Sequence, residues 1–489
     1  MFAELHVERG RLRAILPCTT GTIVRTETDS FDYPGCHVLP GFVDNHAHIV
    51  GLGERLSLVS LHESRSEDEC VQLLVKAGAA PNGWVRAMGW NQEHWPQGRW
   101  PTRELLDRAY PDTPVAASRV DGHAMWVNSA ALKVSGIEPT NHTGILLDDE
   151  MLPIWLSIPP RSADEIRSMI VAATSLCSRM GITEIHDMDV ANVWHEPFRL
   201  LAEQGALPVR VQSFVRAQQD EWRAAGLLPA VGEFVRLAGV KYYADGALGS
   251  RGAKLLAPYS DDSTTDGIQL LSVDEMTQKA RDAIDMGWPS IAIHAIGDAA
   301  VRNVLDTYAN VRSWSDGKDM ILRLEHAQHV HPDDVVRMAE LNVFACVQPS
   351  HCMSDARMAE QRLGPSRLSW AYRWRSLLDA GVCIGAGSDF PIESPNVLDG
   401  ITAFVERIPN DDTNAWQGQE RITVAEAVAA YTSGAHATSG MEYRRGQIEV
   451  GFDADLVILD RDIENVSPSD ISSARVMATF VAGKRRYYS

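Results

Sequence analysis

The chain has 489 residues, and 45 Lys and Arg against 65 Asp and Glu give a formal net charge of −20 at pH 7. That acidity excludes a nucleic-acid binder by bulk electrostatics. A composition 45% hydrophobic and 22% charged, with 36 Gly and 24 Pro, describes a chain that builds a sizeable core and excludes collagen-like, low-complexity and disulfide-scaffold classes.

The opening MFAELHVERGRLRAIL alternates apolar and charged residues instead of forming a signal-peptide core. No apolar run approaches the roughly 20 residues needed to cross a bilayer. The chain is therefore expected to be mature at residue 1, with no membrane partner. Its seven cysteines (Cys18, Cys36, Cys70, Cys177, Cys346, Cys352, Cys383) are scattered without a C-x-x-C pair. That usage suits a reducing compartment, so a cytoplasmic location is expected.

Residues 1–40 and 443–489 read as short alternating strands with turn signals. They are expected to form one small β domain, with both termini in the same sheet. Between them, residues 41–442 alternate β-branched or apolar runs with amphipathic stretches, the pattern of βα units and a parallel sheet. Eight strands are predicted, near 41–48, 182–187, 209–215, 239–245, 291–296, 321–327, 343–349 and 383–389. Eight is the number that closes a barrel. The long gap after the first strand is too long for a βα connection and carries Trp84, Trp90, Trp95, Trp100 and Trp126. Residues 52–165 are accordingly expected to be a cap-like insertion. Ser162-x-x-Glu165, Ser272-x-x-Glu275 and Thr423-x-x-Glu426 have capping-box spacing and mark helix starts.

The strongest chemical signal is Asp44-Asn45-His46-Ala47-His48 at the end of the first strand. Side chains at i and i+2 of a strand share a side, so His46 and His48 can reach one ion. His294, His326 and Asp389 end the fifth, sixth and eighth strands, and Lys241 lies in the fourth. Barrel active sites form at the carboxyl ends of strands, so these residues are expected to converge. Nitrogen and carboxylate donors without thiolates suit Zn²⁺, with Mn²⁺, Fe²⁺ or Ni²⁺ as alternatives. Gly51-Leu52-Gly53 and Gly385-Ala386-Gly387 lack the third glycine of a dinucleotide fold and support no nucleotide cofactor.

The strings PGFVDNHAH (40–48), GWNQEHWPQGRWPTRELLD (89–107), DGHAMWVNSAAL (121–132), VKYYADGALGSRGA (240–253), HAIGDAAV (294–301), EHAQH (325–329), VQPSH (347–351) and GSDFPIESPN (387–396) resemble the amidohydrolase superfamily. The likeness is to its amidohydrolase-3 or YtcJ-like branch, which includes N-substituted formamide deformylases. It runs essentially from end to end of the chain. The resemblance implies a (β/α)8 TIM-like barrel with a composite β-sandwich, and a metal centre held by His46, His48, His294, His326 and Asp389. It also implies that Lys241 is carboxylated and bridges two ions. The alternative is an unmodified lysine beside one ion. A carbamate offers two anionic oxygens where a neutral amine offers one lone pair, and its formation needs an unprotonated lysine.

A bound ion makes hydroxide available near neutral pH, and Asp389 is the expected general acid and base. His123 and His351 are candidates to hydrogen-bond the developing oxyanion, or else ordinary loop residues. Arg251 either fixes a polar group of the substrate or holds its loop by a salt bridge. Trp90 and Trp95 either line an apolar substrate pocket or pack the insertion. Asp245 and Asp298 either orient ligands or cap helices. The expected function is metal-dependent hydrolysis of a C–N bond in a small amide, an N-acyl or N-formyl amine. Cyclic-amide opening, ring deamination and ester cleavage share the same centre, and a catalytically silent binding or assembly protein is the alternative outside enzymes. Barrels of this kind often pair, so a homodimer is the expected assembly.

Overall fold

The computed structural model describes residues 1–140, 142–409 and 412–489. The chain divides into two compact units, Met1–Leu52 with Ile170–Ser489, and Gly53–Met169.

All eight predicted strands are present in the first unit. They are Phe42–Ala47, Ile182–Val190, Arg210–Arg216, Val235–Tyr243, Ser290–Ala295, Ile321–His326, Val343–Val347 and Ile384–Ala386, paired in sequence order into one parallel sheet. Burial on both faces, as along Ser290–Ala295, explains why such segments read as near-continuous apolar runs. The first and last strands share no ladder. Their seam is bridged instead by the Asp389 N–H donating to the His46 carbonyl (2.7 Å) and the His48 N–H to the Phe390 carbonyl (2.9 Å). The barrel thus closes through the residues that carry its chemistry.

The terminal segments form two four-stranded sheets rather than one. Leu456–Leu459, Val476–Val481 and Lys484–Tyr488 continue a sheet that begins with His37–Pro40, so the two ends of the chain do meet there. Ala3–Glu8, Arg11–Pro17, Gly21–Arg25 and Ser30–Pro34 make their own sheet. Local turn chemistry accounts for this. Arg9 and Gly10, at φ 51° and 76°, supply the two left-handed residues of a tight hairpin that commits the first two strands to each other. The two sheets share a core of Leu5, Val7, Leu12, Val24, Val38, Leu456, Ile458 and Phe480, which makes them a sandwich.

Buried ion pairs join this carboxyl-terminal segment to the barrel strands. Arg210 bonds Asp455 (2.7 Å), while Arg445 bridges Glu184 (2.6 Å) and Asp453 (2.9 Å).

The second unit is built on a five-stranded sheet in the order Ile145–Leu147, Ala124–Val127, Val115–Arg119, Val85–Trp90, Val59–Ser60. Strand alternation gives it two apolar faces. Val85, Ala87, Val115, Ala117 and Trp126 pack on one, and Ala116, Met125, Val127 and Leu146 on the other. All three predicted capping boxes form, for example with the Ser162 N–H donating to Glu165 (3.0 Å) and the Glu165 N–H to Ser162 Oγ (3.2 Å). Among the described residues no helix is long and apolar enough to cross a membrane.

Candidate metal centre

His46, His48, His294, His326, Lys241 and Asp389 line one cavity of about 450 Å³ in the barrel unit. The i, i+2 spacing places both histidines of the first strand on it. Asp389 reaches it from the turn after the eighth strand: its Oδ1 lies 3.1 Å from His48 Nε2 and 3.8 Å from His46 Nε2. The rings of His46 and His326 are 4.6 Å apart between centroids, and those of His294 and His326 are 4.4 Å apart. His326, Ala327 and Asp389 all hold left-handed backbone, at φ 73°, 45° and 57°. Such strain in residues other than glycine gathers where geometry serves function.

Three of the histidines are oriented by acceptors behind them. His46 Nδ1 lies 2.6 Å from Glu325, His48 Nδ1 lies 3.0 Å from the Met188 carbonyl, and His326 Nδ1 lies 2.8 Å from Gln348 Oε1. Each partner is acceptor-only at the atom concerned, so each Nδ1 carries the proton and each Nε2 presents a lone pair. Burial, then the neighbouring charges, pushes His326 well below its usual range and His294 down to about 3. These rings are therefore neutral, as metal ligands must be.

Buried His294 Nε2 and Asp389 Oδ1 have no hydrogen-bond partner among the described residues. Burial opposes ionisation of Asp389, but the adjoining imidazoles of His48, His46 and His351 hold its carboxyl well below the usual range. Converging lone pairs and an ionised carboxylate without enough protons between them are the donor set of a divalent cation. Lys241 is buried with its ammonium 3.9 Å from the Tyr243 ring centre, and burial lowers its pKa to about 8, against the pull of Glu325, Asp189 and Asp389. A neutral amine is then within easy reach.

His351 enters the cavity from the first turn of the helix Pro349–Leu363, with Nε2 4.0 Å from Asp389 Oδ2. The other candidates make the following contacts. His123 belongs to the second unit, where its side chain is 78% exposed and pairs with Asp148 at 2.8 Å. Trp90 and Trp95 are buried in that unit's core, and their indole N–H groups donate to the carbonyls of Ala117 and Ser64. Arg251 bonds Asp261 (2.9 Å), which is the loop-bracing alternative. Asp245 accepts from the N–H groups of Lys254, Ile296 and Gly297 and lies 3.5 Å from His294 Nε2, so it ties two loops beside a ligand. Asp298 accepts from Leu256 and Ala299 at a helix start.

The profile of the amidohydrolase family matches residues 30–487. The chain belongs to the amidohydrolase family. This is a superfamily of metal-dependent hydrolases, and the eight-stranded parallel barrel is this member's version of that fold. Among amidohydrolase relatives, YtcJ of Bacillus subtilis is 31% identical over 486 residues, covering 94% of this chain and 91% of that protein. The N-substituted formamide deformylase of Arthrobacter pascens is 26% identical over 496 residues, covering 94% and 90%. A crystal structure of a metal-dependent hydrolase from Pyrococcus horikoshii superposes with a TM-score of 0.80 at 26% identity, over 96% of this chain and 99% of that one.

Glu325, Gln348, Gln328 and Tyr243 were not among the sequence candidates, although all four bear on the site. A trace of Glu325 exists in ILRLEH, where two charged residues at i and i+2 interrupt an apolar strand. Both point inward: Arg323 donates to Glu325 (2.7 Å) and to the Asn45 carbonyl (2.7 Å). Because Glu325 sets the His46 tautomer, Glu325→Gln is expected to weaken divalent-cation binding about 10- to 100-fold, measured by competition with a chromophoric chelator.

Proposed function

We propose that this amidohydrolase cleaves a C–N bond in a small amide, specifically an N-formyl or N-acyl amine, with His46, His48, Lys241, His294, His326 and Asp389 holding its metal. The supporting observation is the set of histidines whose Nδ1 protons are committed behind them and whose lone pairs face the Asp389 carboxylate. The likeness to a formamide deformylase favours the acyl class. Zn²⁺ is the cation this donor set suits, and Lys241 as a carbamate would contribute two anionic oxygens. When bound, the cation supplies positive charge that acidifies a water and polarises the substrate carbonyl.

The protein supplies the rest. Asp389, ionised and 12% exposed, accepts the proton of the attacking water and delivers it to the leaving nitrogen. His351 differs from the ligand histidines in its hydrogen bond. Gln328 Nε2 lies 3.4 Å from its Nδ1 as the donor, so the ring proton sits on Nε2, which is buried and otherwise unpartnered. From there it donates to the carbonyl oxygen as negative charge develops. Neither step requires a serine or cysteine nucleophile.

Exhaustive chelation is expected to abolish hydrolysis of N-formyl amines, and Zn²⁺ to restore it. Full turnover by a verified metal-free preparation would overturn the reading.

A further inference from the structure

Past the metal-binding donors, the cavity has two kinds of wall. Leu248, Ile296, Met358 and Ile392 give its lining apolar groups, and Asp355 and Glu393 give it acidic ones. Lys241 is the single Lys or Arg in its lining among the described residues. Asp355 accepts from the Tyr372 hydroxyl (2.7 Å), and Glu393 accepts from Ser354 Oγ (2.7 Å). These are neutral donors, so neither carboxylate has its charge balanced by them. Burial raises the Asp355 carboxyl above its usual range and the charge of Glu393 adds to the rise, while Tyr372 and His351 oppose it. Because Ser354, the chain neighbour of Asp355, is the residue that bonds Glu393, the two acids lie close together.

A second observation fixes which end of a substrate would meet them. His351 has a side chain only 10% exposed and a buried Nε2 with no partner among the described residues, 4.0 Å from Asp389. Under the acyl-amine reading, the carbonyl group sits between His351 and Asp389. The amine substituent then extends along the apolar wall toward the carboxylates.

We propose that the cavity selects acylated amines whose substituent ends in a second, cationic nitrogen, and that Glu393 sets this preference with Asp355 reinforcing it. The substrate class is a monoacylated diamine: one nitrogen in the scissile amide, a short apolar spacer, and an ammonium group at the acidic wall. A cation there relieves the repulsion between two carboxylates, whereas a carboxylate in the same place adds a third like charge to a partly desolvated pocket. This proposal rests on the acyl-amine reading above and adds the charge of the group that the amide carries.

The test uses zinc-loaded enzyme and three N-formyl compounds of equal length, ending in an ammonium, a methyl and a carboxylate group. The expected order of kcat/KM is ammonium, methyl, carboxylate, with a span of about tenfold or more. Glu393→Gln, nearly isosteric and half-buried, is expected to shrink the ammonium-to-carboxylate ratio about tenfold, with Glu393→Asp recovering part of it. Equal rates, a reversed order, or a ratio untouched by Glu393→Gln would overturn the proposal while leaving acyl-amine hydrolysis intact. If none of the three is hydrolysed, acyl-amine hydrolysis itself fails. Calorimetric binding of the same compounds then decides the charge preference separately: tighter binding of the ammonium compound supports it, and equal or weaker binding ends it.

Discussion

Asparagine in place of Asp389 is expected to lower kcat for the N-formyl amine proposed above as substrate by about 10³-fold, within the range for loss of a general acid and base, while the barrel stays folded. The substitution keeps the side chain's volume and its left-handed backbone, which asparagine tolerates. It removes the negative charge that faces His46, His48 and His351. It also puts an amide N–H₂ among lone pairs, so the metal content of the purified variant should fall with its rate. Steady-state kinetics and metal analysis by mass spectrometry read both effects. A variant that keeps its metal and turns over within threefold of wild type would remove Asp389 from the proton transfers.

Arg445→Met is expected to cost about 3–5 kcal/mol of stability, because it strips a buried anion of its partner. Glu184 is completely buried on the second barrel strand, with Arg445 at 2.6 Å, His186 at 3.3 Å and His436 at 3.4 Å. Burial alone would raise its carboxyl, but the charges of Arg445 and His436 and the hydrogen bond from His186 hold it well below the usual range. A depressed carboxylate contributes stability that is present above its unfolded pKa and lost as pH falls through its folded one. Without Arg445 the folded value rises, so acid unfolding of the variant should begin at a higher pH than in wild type. The double variant Glu184→Gln with Arg445→Met should recover part of the loss, since no unpaired charge remains. Urea titrations across pH test all three statements, and an unchanged midpoint for Arg445→Met would refute the first.

The barrel was legible because short β-rich segments alternate with amphipathic stretches, and all eight strands fall where those segments predict. The donor set was legible because metal chemistry needs particular side chains at strand ends, as in His46-x-His48 and Asp389. What orients those donors was not. The partner of His46 lies 279 residues away in the chain, and a glutamate in a strand announces no such contact. Aromatic residues were ambiguous for a different reason: Trp90 and Trp95 suit a pocket or a core equally well by composition, and only their burial and indole hydrogen bonds place them in the core. Likewise the separate amino-terminal sheet follows from φ angles at Arg9 and Gly10, which an alternating pattern does not reveal.

The pairing of His37–Pro40 with Leu456–Leu459 has a consequence for biosynthesis. Translation delivers the amino-terminal end first, so the early strand must wait, one edge unsatisfied, until nearly the whole polypeptide has left the ribosome. The hairpins before it can form at once, but the sandwich cannot be sealed. Chains stalled or cleaved before Leu456 therefore leave exposed a strand edge that pairing with Leu456–Leu459 covers.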